Sequence, residues 1–438
     1  MNRKKFLTLL SGIPALSFTA CEKDDEPEAR SNPLNNGSSE RNLIIVISDL
    51  HMGADLSYAE LKNNLNLLET FLHNVKSSPN VKELVIAGDL LDEWFVPADV
   101  NTYGGQGQSG FVQRIAIANK GVVDAFNDII GDSKITVTYV PGNHDLTISA
   151  QNVELLFPGI NQARDSSLGL GTYSPSGFPE MAIEHGHRYN FFCAPDTISN
   201  QDEAPGTILP PGYFFTRLAA LHVKQKATAN VDVIPHITLS SPENVSQKLL
   251  YAYANLWSWS LGALPINNYF DEKIIITHVN GFTDTYSVND LMPQQSSEGG
   301  PIEVNLFHGI QDNWDSRQAE NSVEVNIPVE HAILNANSAD ETDNLAKTQY
   351  FLNPNSEKRI VIFGHNHRST IIPSYNHQGL KSIYANAGTW IDHNPSGATA
   401  TFLVITPQTD DPSSVTKIAA YNFENAVYTE MEMNTVRL

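Results

Sequence analysis

A chain of 438 residues with 41% hydrophobic and 17% charged content has ample material for a large buried core, and suits one big domain with an insertion or two modest domains. Its formal net charge of −22, from 27 basic and 49 acidic residues, argues against sequence-independent binding to nucleic acid or anionic lipid, which need a basic footprint. If a substrate carries phosphate, local cations must overcome this unfavourable field.

The first twenty residues read as a targeting segment. Arg3, Lys4 and Lys5 form a basic start, and Phe6 to Ala20 is a short apolar stretch ending in small residues. A membrane-spanning helix needs roughly 20 apolar residues, so the stretch is too short for one. Cys21 follows Phe18-Thr19-Ala20, which resembles the lipobox of bacterial lipoproteins, although Leu is more usual where Phe18 stands. An ordinary secretory signal with an incidental Cys is the alternative. The acidic run Glu22-Lys23-Asp24-Asp25-Glu26 resembles a surface-export signal of some Gram-negative lipoproteins, with a plain solvated charge run as its alternative. The expectation is an exported lipoprotein, periplasmic or at the outer membrane or cell surface, held to the membrane by lipid on Cys21. Cys193 is then left without a partner, and no intrachain disulfide is expected.

Residues 21–41 are rich in Glu, Asp, Ser, Asn, Pro and Gly, the composition of a disordered tether. Leu43-Ile44-Ile45-Val46-Ile47 is a continuous apolar run of strand length, which predicts a strand covered on both faces. Ser57-x-x-Glu60 reads as a capping box ahead of Leu61, Leu65, Leu68 and Leu72 at helical spacing, and Pro79-Asn80 ends that element. Leu84-Val85-Ile86-Ala87 is the next buried strand. An amphipathic stretch from Phe111 to Ile130 leads to a third strand at Ile135 to Val140. Strand, loop and helix alternate, the mark of layered α/β architecture. Further strands are expected at Met181-Ala182-Ile183, at Ile360 to Phe363, and in a series from Lys381 to about Tyr428. Between them the text changes: Pro210-Pro211-Gly212, a helical stretch from Phe214 to Ala227, and an aromatic segment from Tyr251 to Trp259. The division expected is a main domain over 42–194 and 358–438, with 195–357 as an insertion or cap.

Five motifs stand at the ends of apolar strands: Asp49-Leu50-His51, Gly88-Asp89, Gly142-Asn143-His144-Asp145, His185-Gly186-His187 and Gly364-His365-Asn366-His367. They supply carboxylate, amide and imidazole donors for two divalent ions, which must share a bridging ligand to sit about 3.5–4 Å apart. Asp49 and His51 alternate along an extended strand end, so both point to one side and reach one ion. Asp89 has enough lone pairs to bridge. Asn143, His185 and His365 suit the second ion, and His367 returns to the first. His144, beside Asn143, is placed to protonate a leaving alkoxide, with Asp145 to orient its ring. The mixed donor set admits Mn, Fe, Zn or Co.

These motifs, in this order, resemble those of the calcineurin-like metallophosphoesterase family. Ile47 to Gly53 and Gly88 to Trp94 are especially similar to the branch containing UDP-2,3-diacylglucosamine diphosphatases, and Asn386-Ala387-Gly388-Thr389-Trp390 to the family's late strand turn. The resemblance covers Leu43 to His187 and about Arg359 to Leu438. It implies an α/β (α+β) four-layer αββα sandwich. It also implies one ion on Asp49, His51, Asp89 and His367, another on Asp89, Asn143, His185 and His365, and His144 as the acid. The function expected is a two-metal-dependent hydrolase of phosphomonoester, phosphodiester or pyrophosphate bonds, working by metal-bound hydroxide. Its substrate would be a small or glyco/lipid-linked phosphate ester, with no nucleic acid partner; a non-catalytic binding lipoprotein on the same scaffold is the rival.

Weaker signals have two readings each. His187, Arg188 and Arg368 could contact phosphate or lie at the surface. Trp94 and Phe95 could wall a cleft, with packing preferred. Gly104 to Gly107 could be a lid or a surface turn. Arg217, Lys224 and Lys226 are expected on a solvated helix face. Tyr251, Tyr253, Trp257 and Trp259 could receive an apolar ligand face, with core packing preferred.

Overall fold

The backbone frame follows from which faces of the strands must be covered. The computed structural model describes residues 32–165, 168–239, 241–336 and 341–438. The signal segment, Cys21 and most of the acidic tether lie outside them.

In chain order the strands of the main domain are β1 (Leu43–Ile47), β2 (Val81–Ala87), β3 (Thr136–Val140), β4 (Asn161–Gln162) and β5 (Met181–Ile183). Their helices are α1 (Leu65–Ser77), α2 (Gly107–Ala118), α3 (Lys120–Asp132) and α4 (Ala150–Leu156). The insertion carries α5 (Pro211–Gln225), α6 (Val245–Ala263), the hairpin β6 (Ile275–Ile276) and β7 (Thr285–Tyr286), and α7 (Val288–Leu291). A second hairpin follows, β8 (Gln294–Gln295) and β9 (Ile302–Glu303), then α8 (Trp314–Glu320), α9 (Val329–Asn335) and α10 (Glu341–Ala346). The chain closes with β10 (Ile360–Phe363), β11 (Thr370–Tyr375), β12 (Lys381–Asn386), β13 (Thr401–Thr406), β14 (Thr416–Glu424) and β15 (Val427–Val436).

The larger sheet has seven strands in the order β15-β14-β13-β1-β2-β3-β4, and the smaller has four, β11-β12-β10-β5. β1 to β4 run parallel, as do β5, β10 and β12, while β13, β14, β15 and β11 are antiparallel additions. Alternation along β1 explains its continuous apolar run. Leu43, Ile45 and Ile47 face the core shared with α1 to α3, and Ile44 and Val46 face Ile183, Ile360 and Ile362 of the smaller sheet. Beyond the smaller sheet, Val361, Phe363 and Tyr384 pack on Leu345, Ala346 and Phe351. Helices, sheet, sheet and helix therefore stack as the four layers expected. The parallel strands of both sheets end at one rim, the place where ligand loops gather in such sheets.

Several local expectations change. Ser57 and Glu60 make no capping box; helix α1 starts later, after Asn64, which forms no side-chain cap, and buries Leu68, Phe71, Leu72 and Val75. The Asn64 and Asn63 amides are held instead by the Asp392 carboxylate, a partner far away in sequence. The stretch from Phe111 to Ile130 is two helices that break at Asn119, whose side chain bonds the carbonyls of Gly53 and Ile115. The described end of the presumed tether, residues 32–41, docks on the main domain. Leu34 is fully buried, and Ser78 and Asn80 bond the carbonyls of Leu34, Ser38 and Glu40. A single large apolar side chain was enough to anchor that polar segment. No helix among the described residues is long and apolar enough to cross a membrane.

Within the stretch 195–357, Phe214, Tyr253, Trp257, Phe282, Phe307 and Trp314 share one core with Trp94, Phe191 and Phe192, while its end, at Leu345, Ala346 and Phe351, packs on the smaller sheet. Arg217 is not on a solvated face. It is completely buried on α5, and its guanidinium donates to the carbonyls of Val96, Pro97, Ala98, Val100 and Ile276 and to the Tyr213 hydroxyl. A guanidinium has five N–H donors, and here they gather the carbonyls of a loop that has no sheet partner. Lys224 does lie near the surface, paired with Asp99 at 2.8 Å.

Candidate metal centre

Each ligand motif begins where a parallel strand runs out, and the loops stay joined past the strand ends. Asp49 N–H donates to Gly88 O, His51 N–H to Asp89 O, and Gly364 N–H to His185 O. The backbone is strained here. Asp49, His51, Asp89, His365 and His367 all have φ between 50 and 75°, the left-handed region that L side chains rarely adopt. Two glycines are required by close approach. A Cβ on Gly142 would run into the Asp89 carboxylate and backbone nitrogen, and one on Gly364 into the Ser48 hydroxyl and Asp49 carboxylate. From behind, Thr389 Oγ1 and Trp390 N–H donate to Asp49 O, which gives the Asn386–Trp390 turn its role.

All seven predicted ligands converge. His51 Nε2 and His367 Nε2 are 3.1 Å apart, and His367 Nε2 is 3.2 Å from Asp49 Oδ1. Asp89 Oδ2 lies 3.6 Å from His51 Nε2 on one side and 3.2 Å from His185 Nε2 on the other. Asn143 Oδ1 is 3.0 Å from His185 Nε2 and 2.8 Å from His365 Nδ1. Donor atoms of Asp49, His51 and His367 fall within 4.8 Å of one another, as do those of Asp49, Asp89 and His185. Asp49 is common to both groups and Asp89 lies between His51 and His185, so the donors form one continuous cluster. Two imidazole nitrogens aimed at one point, between carboxylates, make a poor hydrogen-bonded core and a good cation cradle. These residues fit divalent ions, and their mix of nitrogen and oxygen donors suits the transition metals better than magnesium or calcium.

Electrostatics agree with that reading. Burial alone would raise the Asp49 and Asp89 carboxyls, but neighbouring histidines more than offset it and hold both well below the usual carboxylate range. Burial opposes charge on His185, yet Asp89 and Asp49 raise it to about 9. His365 goes the other way, to about 3, through burial and the proximity of His185. With no cation present, the carboxylates hold a proton on His185, while His365 stays neutral.

His144 sits where expected, but its partner does not. Asp145 accepts the N–H groups of Leu90, Leu91 and Gly142 and so braces the two ligand loops. Asp92 orients the imidazole instead, with Oδ1 2.8 Å from His144 Nδ1, and its other oxygen is 3.5 Å from His51 Nδ1. The ring also stacks on Trp94 at 5.1 Å, and the His144 N–H donates to Asp89. Asp92 could have been found: it is a carboxylate three residues beyond the bridging Asp89, and buried carboxylates need partners. Asp145 competed for the role through sequence adjacency alone.

Neither reading of His187 and Arg188 holds. His187 is buried beside His185, its ring nitrogens have no hydrogen-bond partner, and burial holds it well below the ordinary histidine value. Arg188 is buried and paired with Glu184 and Asp165. It lines a cavity of about 550 Å3 with Tyr189, Tyr350 and Lys358, which none of the seven donors reaches. The Gly104–Gly107 turn is exposed, as the surface-turn reading expected, and Arg114 bonds the Gln106 side chain and the preceding carbonyls of Thr102 and Tyr103.

The model of the calcineurin-like phosphoesterase family matches residues 43–209. That match covers less than half of the chain and includes the donors from Asp49 to His185; the fold is a mixed α/β sandwich consistent with a metallophosphoesterase, and the Asp and His donors form a candidate metal site. No curated protein matches the chain. Among solved structures, nuclease MPE of Pseudomonas putida is similar at 14% identity and a TM-score of 0.20, over 33% of this chain and 54% of that one. The chain spans about half the length of that nuclease, and so loose a likeness bears on neither fold nor substrate.

Proposed function

We propose that this chain is a hydrolase of phosphate esters that uses two divalent ions and His144 as the general acid. The observation that carries the reading is Asp89, whose carboxylate stands between His51 on one side and His185 on the other, inside the cluster of Asp and His donors. Bound divalent ions there supply Lewis acidity toward phosphoryl oxygens and an acidified water. The protein's own residues do the rest. Asp49, Asp89 and Asn143 fix the donor geometry, and the parallel strand ends hold it rigid. Asp92 takes His144 Nδ1, which leaves Nε2 for proton transfer. In hydrolysis the water oxygen bonds to phosphorus, the ester P–O bond breaks, and the leaving oxygen takes the bonding pair and a proton from His144. The water's proton passes to solvent.

The experiment is turnover of p-nitrophenyl phosphate and bis(p-nitrophenyl) phosphate by protein loaded with Mn, Fe, Zn or Co, beside an Asp89→Asn variant. Hydrolysis that the variant loses supports the reading. Stoichiometric metal without turnover of either ester supports the rival, a binding protein on this scaffold. Export and a lipid anchor on Cys21 belong to the same proposal, supported by the order of basic, apolar and small residues before that Cys. Labelling with a palmitate analogue in a bacterial host, lost in Cys21→Ser, tests it. The acidic composition favours a small or glyco/lipid-linked ester over nucleic acid.

A further inference from the structure

His144 faces the ligand set on one side and, on the other, forms part of the wall of a cavity of about 310 Å3. The rest of that wall comes largely from the insertion. Phe215 and Leu218 on α5 and Trp257 and Leu261 on α6 line it, and Phe95 and Phe192 of the main domain contribute. Phe215 and Trp257 stack with ring centroids 4.0 Å apart, so the wall is preformed rather than loose. Glu60 is the one charged residue apart from the histidine, and neither Lys nor Arg occurs among the described lining residues.

We propose that this cavity receives the leaving group, and that the leaving group is a compact, uncharged, apolar alcohol. The proposal rests on the hydrolase reading and narrows its substrate class. Three observations carry it. First, the proton donor for a leaving oxygen must touch that oxygen; His144 and Glu60 both belong to the donor groups and to the cavity wall, and of the two His144 sits beside Asp89. Secondly, the size is bounded. A cavity of about 150 Å3 holds one benzene. At about 310 Å3 this one holds roughly twice that, a group of about twelve carbons. A leaving group with two long acyl chains would leave most of its apolar surface outside these walls. Thirdly, the charge is wrong for a pyrophosphate bond. A phosphorylated leaving group would enter an apolar wall with Glu60 and no cation, and a buried unpaired anion is strongly penalised.

The test uses the metal-loaded full chain and ethyl, butyl, octyl and hexadecyl phosphates, with the matching methyl diesters. Simple alkanols are nearly equal in acidity, so intrinsic reactivity is constant along the series. Each buried methylene contributes at most about 0.8 kcal/mol, or about fourfold. Values of kcat/KM should rise at least tenfold from ethyl to octyl and, with dodecyl phosphate added to the series, gain little more from dodecyl to hexadecyl. Leu218→Trp, and separately Ser260→Trp, should shrink the octyl-to-ethyl ratio at least tenfold. Hydrolysis at every length with a flat series in the wild-type protein overturns the cavity assignment and leaves the hydrolase reading standing. Faster turnover of ADP than of octyl phosphate also overturns it. Absence of turnover for every ester with every metal removes the hydrolase reading first. In that case saturable quenching of tryptophan fluorescence by octylphosphonate would mark an apolar binding site and overturn only its role in holding a leaving group.

Discussion

The rim that carries the metal ligands and the insertion that overhangs it are built on opposite terms. At the rim, short polar motifs hold strained backbone, with five ligand residues in the left-handed region at roughly 1 kcal/mol or more each. That conformation persists because two packed sheets and the Asp145 and Asn386–Trp390 contacts leave the loops no alternative. The insertion has little regular sheet and takes its shape from aromatic burial, with polar backbone satisfied case by case, as around Arg217. Chemistry is thus specified locally and recognition is specified by packing, so the two should break independently.

Removing the shared ligand gives the largest expected effect. Asp89→Asn should cost more activity than the roughly 10²–10⁴-fold that loss of a general acid costs, and should lower metal stoichiometry by elemental analysis, with an unchanged circular dichroism spectrum. Retention of two ions and full rate would show that Asp89 does not bridge them. His144→Asn should lower kcat by roughly 10²–10⁴-fold for alkyl esters and less for p-nitrophenyl esters, whose leaving group needs little protonation, while both ions remain bound. On the insertion side, Arg217→Met leaves several buried carbonyls unpaired and should destabilise by about 3 kcal/mol. Thermal unfolding and faster hydrogen exchange in α5 would register this, with metal content unaltered. A loss of metals in that variant would mean the two regions are one cooperative unit. Asp92→Asn should cost about 10–100-fold in rate, the effect of a residue that acts through His144 and His51.

The smallest effect is pH-dependent and belongs to the rim alone. His185 is raised to about 9 in the metal-free protein, above its usual 6.5. Its folded form holds a proton that the unfolded chain releases. The associated stability is therefore full below about pH 6.5 and is lost as pH climbs through about 9. Metal must displace that proton, so apparent metal affinity should rise with pH and level off near 9. Titration calorimetry in buffers of different ionisation enthalpy would detect the released proton. A pH-independent affinity would show that His185 does not bind metal.

Much of the rim was readable in the chain because its information is local. The five motifs name their donors directly, although Asp49 and His51 meet through left-handed backbone beyond the end of β1 rather than through the extended spacing expected. Asp145 shows where such reading stops. A neighbour in sequence was the natural partner for His144, yet the fold turns it toward three backbone N–H groups and brings Asp92 in from another strand end. Arg217 went unread for the same reason: a cation on an amphipathic helix is solvated by default, and the carbonyls that bury it come from a loop 117 to 121 residues upstream and from Ile276, 59 residues downstream.

Composition, strand patterning and the order of five motifs thus determined the layered α/β frame and the identity of seven converging donors, since each depends on contacts within a few residues. How the donors meet in one cluster, which carboxylate holds the acid, and how an apolar chamber comes to lie against His144 were decided by tertiary structure alone. Those relations join segments from 52 to 316 residues apart, and only the mutual burial of two sheets and an aromatic wall brings them together.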